Sequence, residues 1–372
     1  VVDPTVCRRG DPRRWGWRRP CKDDGWTSID DVARRLAFIR PVHRPEDFML
    51  NGHAPQSHAD DADAVTLQLA PGRRPTLAYV APPPMAMPEP PPQLGDYTVL
   101  GPLARGGMCG VYLGQHRHTG ERVALKLLDP RWLDSPSAVT RLLGEYALRR
   151  RIHHDGVVAI RAAHLSPDGQ PYLVMELLDG EDLGALLERG RLTIGATAAL
   201  GAQVADAAAA LHAADIIHCD LKPENIMLLY RDGLAGWPEA KLLDLGVARE
   251  RGVALPEVAG TPAYMAPEQW QGRPSAASDV YALGCTLYEL LTGVAPFEGT
   301  VLEVRLAHLE AQPAPASHRR ALPASLDHLI LRSLAKEPRL RPRMSELTSA
   351  LTDLAFAHPP GARAEGVLAA VA

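Results

Sequence analysis

The stretch Ile217-His218-Cys219-Asp220-Leu221-Lys222-Pro223-Glu224-Asn225 limits the architecture more than any other. It follows an Ala-rich, helix-patterned run at 196–214. Pro223 disfavours helix at Lys222, so the segment is predicted to be a loop leaving a buried helix. A carboxylate, an amine and an amide on one short loop suit phosphoryl transfer. The carboxylate accepts a proton from an attacking hydroxyl, the amine neutralises phosphate charge, and the amide offers an oxygen to a metal. Nineteen residues after Asn225, the short apolar run Lys241-Leu-Leu ends at Asp244-Leu245-Gly246. Asp244 is predicted to be a second metal ligand.

Together these segments resemble the catalytic loop and the metal-binding Asp-Phe-Gly motif of bacterial eukaryotic-like (Hanks-type) serine/threonine protein kinases. Cys219 stands where most members have Arg, and Leu245 where most have Phe. Further segments follow in the family's order. Leu100 to Gly114 reads as strand, Gly-rich turn and strand, with Ala104, Gly106 and Cys109 at the family's three glycine positions. Arg122-Val-Ala124-Leu-Lys126 resembles the phosphate-binding lysine strand, and Glu145 on the next helix is its expected partner. Tyr172 to Gly180 resembles the hinge between lobes. Gly260-Thr261-Pro-Ala-Tyr264-Met-Ala266-Pro267-Glu268 resembles the end of an activation segment. The helix expected to begin at Ser278-Asp279 and end at Gly293 carries the Asp that ties down the catalytic loop in the family. Arg341 matches the Arg that pairs with Glu268. Three more helices are expected near 299–311, 325–335 and 343–355.

The resemblance implies an α+β, two-lobed protein-kinase-like fold, with a small antiparallel sheet lobe carrying one helix and a larger, mainly helical lobe. The expected organisation is a poorly ordered region at 1–81, a Pro-rich linker at 82–94, a kinase domain at 95–356 divided after 176, and a frayed tail at 357–372. ATP would lie between the lobes. Asp220, Lys222, Lys126 and Glu145 would be catalytic. Leu103, Ala104, Gly106, Gly107, Val111, Ala124, Lys126, Met175, Glu176, Leu178 and Met227 would hold the nucleotide, and Asn225 and Asp244 would hold Mg2+ or, alternatively, Mn2+. Protein Ser/Thr hydroxyls would be the acceptors. Two rivals are a pseudokinase scaffold and a small-molecule phosphotransferase of related fold. The segment at 260–268 argues against the second.

Composition narrows the setting. The chain has 372 residues, 46% of them apolar, enough for a sizeable core. A net charge of −4 gives no argument for a nucleic-acid partner. The five cysteines have no C-x-x-C spacing, which reads as a reduced, cytoplasmic setting. No uninterrupted apolar run reaches the roughly 18 residues of a membrane helix. The Ala-rich run is broken by Gln203, Asp206 and His212 and reads as a buried helix. The N-terminus is Arg-rich without an apolar core, unlike a signal peptide. Lysine occurs only at 22, 126, 222, 241 and 336. Where Arg is so freely used, a retained Lys marks a place that needs a compact ammonium.

Some residues depart from the family pattern. Gly144 weakens its helix, and Arg149 falls where relatives place an apolar residue, so a loosely docked helix is expected. From Leu245 to Gly260 there is no Ser, Thr or Tyr. Cys219 brings no positive charge to receive a phosphate. The enzyme is therefore expected not to require activation-loop phosphorylation. In the alternative reading, Arg249 or Arg251 orders the loop through local acids.

Overall fold

The computed structural model describes residues 90–251, 259–360 and 367. The sequence readings for 1–89, and for 252–258 of the activation segment, lie outside the described residues.

The small lobe is a six-stranded antiparallel sheet in the order β1-β2-β3-β4-β6-β5. Its strands are β1 (Gln93–Leu94), β2 (Tyr97–Arg105), β3 (Cys109–His116), β4 (Arg122–Leu128), β5 (Ile160–Leu165) and β6 (Pro171–Glu176). β4 lies inside the sheet between β3 and β6. Everything in it after Arg122 is buried, so it reads as a continuous apolar run into which Lys126 is set. Helix α1 (Pro136–Arg149) packs on the sheet. Ser135 caps it, its hydroxyl accepting the Ala138 amide at 3.4 Å, and Pro136 sits in the first turn where no amide is needed. Its buried residues are Ala138, Leu142 and Glu145, one stripe at helical spacing. Glu145 is thus aimed into the lobe by the same face that docks the helix.

Two expectations change here. The folded unit begins before 95: Leu94 is completely buried, Gln93 and Leu94 pair with Thr98 and Tyr97, and Val99 donates to the Pro92 carbonyl. The end of the Pro-rich stretch is therefore part of the sheet. Nor is α1 loosely docked. Arg149 reaches beyond the helix and donates to the carbonyls of Ile152, Val157 and Val158. A guanidinium does with hydrogen bonds what an apolar side chain would do by packing.

The large lobe begins with β7 (Gly180–Asp182), α2 (Leu183–Leu187) and α3 (Ile194–Ala213). α3 is the one helix among the described residues long and apolar enough to cross a membrane, and 72% of its apolar window is buried inside the lobe. Its small residues permit close approach: a Cβ at Gly195 would collide with the His358 carbonyl, and one at Gly201 with Leu287. The strands β8 (Ile216–Ile217), β9 (Ile226–Asp232), β10 (Pro238–Leu242) and β11 (Arg249–Glu250) follow. β10, β9 and β7 form one small sheet, and β11 pairs with β8. The remaining helices are α4 (Pro267–Trp270), α5 (Ala276–Thr292), α6 (Val301–Glu310), α7 (Ala324–Ser333) and α8 (Met344–Ala357).

α5 starts earlier than Ser278-Asp279. Its N-cap is Ser275, whose amide donates to the Ser278 hydroxyl at 2.9 Å, so Ser278 is the third residue of a capping box. Gly293 ends the helix in the left-handed region at φ 81°. The expected frayed tail also makes contacts. The His358 carbonyl accepts from Trp237 at 3.3 Å, and the Thr193 amide donates to the Val367 carbonyl at 2.9 Å.

Candidate active site

The loop after β8 is held from below by α5. Asp279, fully buried, accepts the backbone amides of His218 and Cys219, each at 2.8 Å, and also bonds His212 at 2.8 Å. These bonds fix the turn in which Cys219 adopts φ 66°, an unusual conformation for a side chain with a Cβ. The His218 ring is buried, with Nε2 3.2 Å from the Leu243 carbonyl and Nδ1 3.3 Å from the Asp220 amide. A carbonyl only accepts, so Nε2 carries the proton and Nδ1 accepts. The loop is thereby tied to the strand end that delivers Asp244.

Asp220, Lys222 and Asn225 converge. Asn225 donates through Nδ2 to the Asp220 carbonyl at 2.8 Å and to its carboxylate at 3.1 Å. Lys222 Nζ lies 3.4 Å from the same carboxylate oxygen, Asp220 Oδ2. One hydroxyl already sits between them. Thr261 donates its Oγ1 proton to Asp220 Oδ1 at 2.8 Å and accepts from Lys222 Nζ at 2.6 Å. Its amide donates to the same carboxylate oxygen at 2.8 Å. Gln269 fastens this segment to the loop, donating to the Cys219 and Ala259 carbonyls at 2.7 and 2.8 Å.

The second cluster joins the lobes. Lys126 Nζ lies 2.9 and 2.8 Å from the two Glu145 oxygens and 2.8 Å from Asp244 Oδ1. Burial disfavours charge on Lys126, but Glu145 and Asp244 outweigh it and raise its pKa, so it stays an ammonium. Burial also lifts the Asp244 carboxyl. The Lys126 charge and the Gly246 amide overcome that and hold it down at about 2. Asp244 itself adopts φ 38°.

The residues expected to hold a nucleotide lie on the small-lobe sheet, at the hinge and on β9. Leu103, Ala104, Gly106 and Gly107 belong to the β2–β3 hairpin, where Ala104 pairs with Val111 and the Gly106 amide donates to the Cys109 carbonyl at 2.8 Å. The hairpin therefore closes tightly without the first and third glycines. Burial pushes the Cys109 thiol up to about 12, which keeps it protonated. Val111 pairs with Lys126, and Ala124 with Met175, on inner strands of the sheet. Met227 lies on β9, opposite Lys241 and Asp182. At the hinge the Glu176 amide already donates to the Ala159 carbonyl at 3.0 Å, so adenine would meet its carbonyl, along with the Leu178 backbone.

Sequence reading missed several supports. The Glu176 carboxylate accepts Lys241 at 2.8 and 3.0 Å and the Ala159 amide at 2.7 Å, tying the hinge to β10. The scarcity of lysine was the available signal for Lys241. The Glu268–Arg341 pair forms as expected, at 2.7 and 2.9 Å, with Ser278 adding a bond of 2.6 Å.

The protein kinase domain family matches residues 97–351. The chain belongs to the protein kinase family. Among curated proteins, the serine/threonine-protein kinase Pkn1 of Myxococcus xanthus is 39% identical over 298 residues, 77% of this chain and 42% of its own length. PkaA of Streptomyces coelicolor is 39% identical over 274 residues, 68% of this chain and 49% of its own. PknE of Mycobacterium bovis is 37% identical over 253 residues, 66% of this chain and 44% of its own. The kinase chain described here spans about half the length of these relatives. The family uses ATP and a divalent metal, and the two oxygen donors, Asn225 and Asp244, suit a hard cation that completes its shell with phosphate and water.

Proposed function

We propose that this protein transfers the γ-phosphoryl group of ATP to Ser/Thr hydroxyls of proteins, in bacterial signalling and in the cytoplasm. The observation that carries the reading is the Thr261 hydroxyl held between Asp220 and Lys222. An acceptor hydroxyl placed there would give its proton to Asp220, while Lys222 would neutralise charge on the transferring group. Lys126, oriented by Glu145, would hold the α- and β-phosphates. Asn225 would offer its amide oxygen, and Asp244 its carboxylate, to Mg2+, which supplies charge neutralisation across the phosphates. The β2–β3 hairpin would cover the phosphates, and the hinge would bind adenine. The kinase unit is taken to run from Pro90 to at least Pro360. The free thiols of Cys109, Cys219 and Cys285 accord with a reduced compartment.

Independence from activation-loop phosphorylation is part of the same reading. Cys219 is a buried thiol rather than a cationic receptor for a phosphate. Arg251 pairs with Asp215 at 3.3 Å and Arg151 pairs with Glu250, so local ion pairs order the start of the segment.

The test is transfer from ATP and Mg2+ to a generic Ser/Thr-bearing acceptor protein, with Asp220→Asn as control. ATP binding without any transfer would leave the pseudokinase scaffold. Transfer confined to small molecules would leave the other rival.

A further inference from the structure

Helix α6 carries a histidine with no solvent exposure, His308. Burying an imidazole is costly unless both nitrogens are satisfied, and here both are. Nε2 lies 3.1 Å from the Ala263 carbonyl and Nδ1 lies 2.9 Å from the Tyr281 hydroxyl. The carbonyl can only accept, which places the proton on Nε2 and leaves Nδ1 as acceptor, so Tyr281 donates to it. The Tyr281 oxygen in turn lies 3.4 Å from Lys336 Nζ, which can only donate. The donations therefore run one way: Lys336 to Tyr281, Tyr281 to His308, His308 to Ala263. The same lysine closes the end of α6 by donating to the Ala307 and His308 carbonyls at 3.0 and 2.8 Å. Its ammonium stands over the Phe297 ring at 4.6 Å, and Phe297 meets the His308 ring edge-on at 4.9 Å.

The far end of this chain matters because of what Ala263 adjoins. It lies in the short turn Pro262–Tyr264, immediately after Thr261, whose amide and hydroxyl both rest on Asp220. On its other side, Tyr264 donates through its hydroxyl to Glu289. The turn that flanks the acceptor position is thus pinned at Thr261 by the catalytic loop, at Tyr264 by α5, and at the Ala263 carbonyl by α6.

We infer that His308 is a positioning residue for the acceptor. Through the Lys336–Tyr281–His308 chain, α6 sets the height of the 261–264 turn relative to Asp220, and so governs how well a protein acceptor docks. The role rests on the kinase reading above, since it concerns the acceptor of that reaction. His308 touches neither nucleotide nor phosphate, and its influence is predicted to fall on the acceptor rather than on ATP.

The experiment compares the whole chain with His308→Leu, His308→Gln, Tyr281→Phe and the double variant His308→Leu/Tyr281→Phe. His308→Leu should raise KM for a peptide acceptor about tenfold or more while KM for ATP moves far less, a split that merely loosened packing would not produce. His308→Gln, which keeps a donor for Ala263, should recover most of the loss. The double variant should be no worse than His308→Leu, because both changes cut one chain. Hydrogen exchange supplies a readout that needs no activity: the amides of Thr261 and Tyr264 should exchange faster in His308→Leu. Unchanged exchange at those amides, or equal changes in both KM values, would overturn the assignment. A wild-type chain that transfers no phosphate at all, yet shows faster exchange in His308→Leu, would leave the coupling standing and remove the kinase reading instead.

Discussion

A lysine set between two carboxylates puts a compact charge in a fixed place, and Arg copies the charge but not its shape. Lys126→Arg is expected to abolish nearly all transfer while the protein stays folded, because a planar fork cannot sit in the pocket that Glu145 and Asp244 build for a point charge. Retention of more than about a tenth of wild-type turnover, roughly 1.4 kcal/mol of barrier, would reject that role. Asp220→Asn is expected to lower turnover about 10²–10⁴-fold with ATP affinity little changed, as for the loss of a general base. Full turnover in that variant would mean the base is assigned wrongly. His308 makes a prediction about pH. Burial, then the nearby Lys336 charge, lowers its imidazole to about 4. A pKa depressed on folding contributes stability that is fully present above the unfolded value near 6.5 and is lost as pH falls through about 4. Wild type should therefore lose as much as roughly 3 kcal/mol over that window relative to His308→Leu. Urea midpoints of the two proteins at pH 7 and pH 5 check it, and a difference that does not move with pH would contradict a buried neutral ring.

Among the elements, the short strand β1 has an importance out of proportion to its length. A chain starting near Pro88 should keep the sheet, whereas one starting at Gly95 loses Leu94 from the core, about 1.5–3 kcal/mol of apolar burial. Thermal unfolding of the two truncations should differ by several degrees in Tm. Equal Tm values would show that Gln93–Leu94 contributes nothing to the sheet. The sequence did not reveal this strand because a Pro run ending in Gln-Leu-Gly has no strand periodicity of its own. Its pairing comes from β2, a tertiary fact. The same cause hid the capping of α5: Ser278 looked like a start because it precedes Asp279, but Ser275 was the residue outside the first turn. Arg149 misled for a different reason. It stands where relatives place an apolar residue, and only the geometry of the following loop shows three carbonyls within its reach. The motif residues were legible because their chemistry fixes their type and spacing. Lys126, Glu145 and Asp244 come together in one hydrogen-bonded cluster, and Asp220, Lys222 and Asn225 in another. Supports such as Gln269 and His308 were not legible, since a buried hydrogen bond can be made by many residue types from many positions, and Lys241 was signalled only by the scarcity of lysine.

For the whole molecule, the two-lobed fold and the protein kinase family agree with the sequence reading. The proposed mode of control belongs at this scale as well. Protein expressed with a phosphatase, and shown by mass spectrometry to carry no phosphate at 245–268, should have the same initial rate as protein left to autophosphorylate. A rise above about tenfold that maps to Thr261 would defeat the proposal. The Glu268–Arg341 pair has a consequence of another kind. Arg341 has no exposed side-chain surface, and the two partners are 73 residues apart in the chain. A buried carboxylate without its guanidinium is strongly destabilising, so the floor on which a protein acceptor docks cannot be completed until the last helices exist. During synthesis, the growing chain would therefore carry Lys126, Asp220 and Asp244 well before it could use them. A nascent kinase stays silent until nearly all of its catalytic unit has left the ribosome.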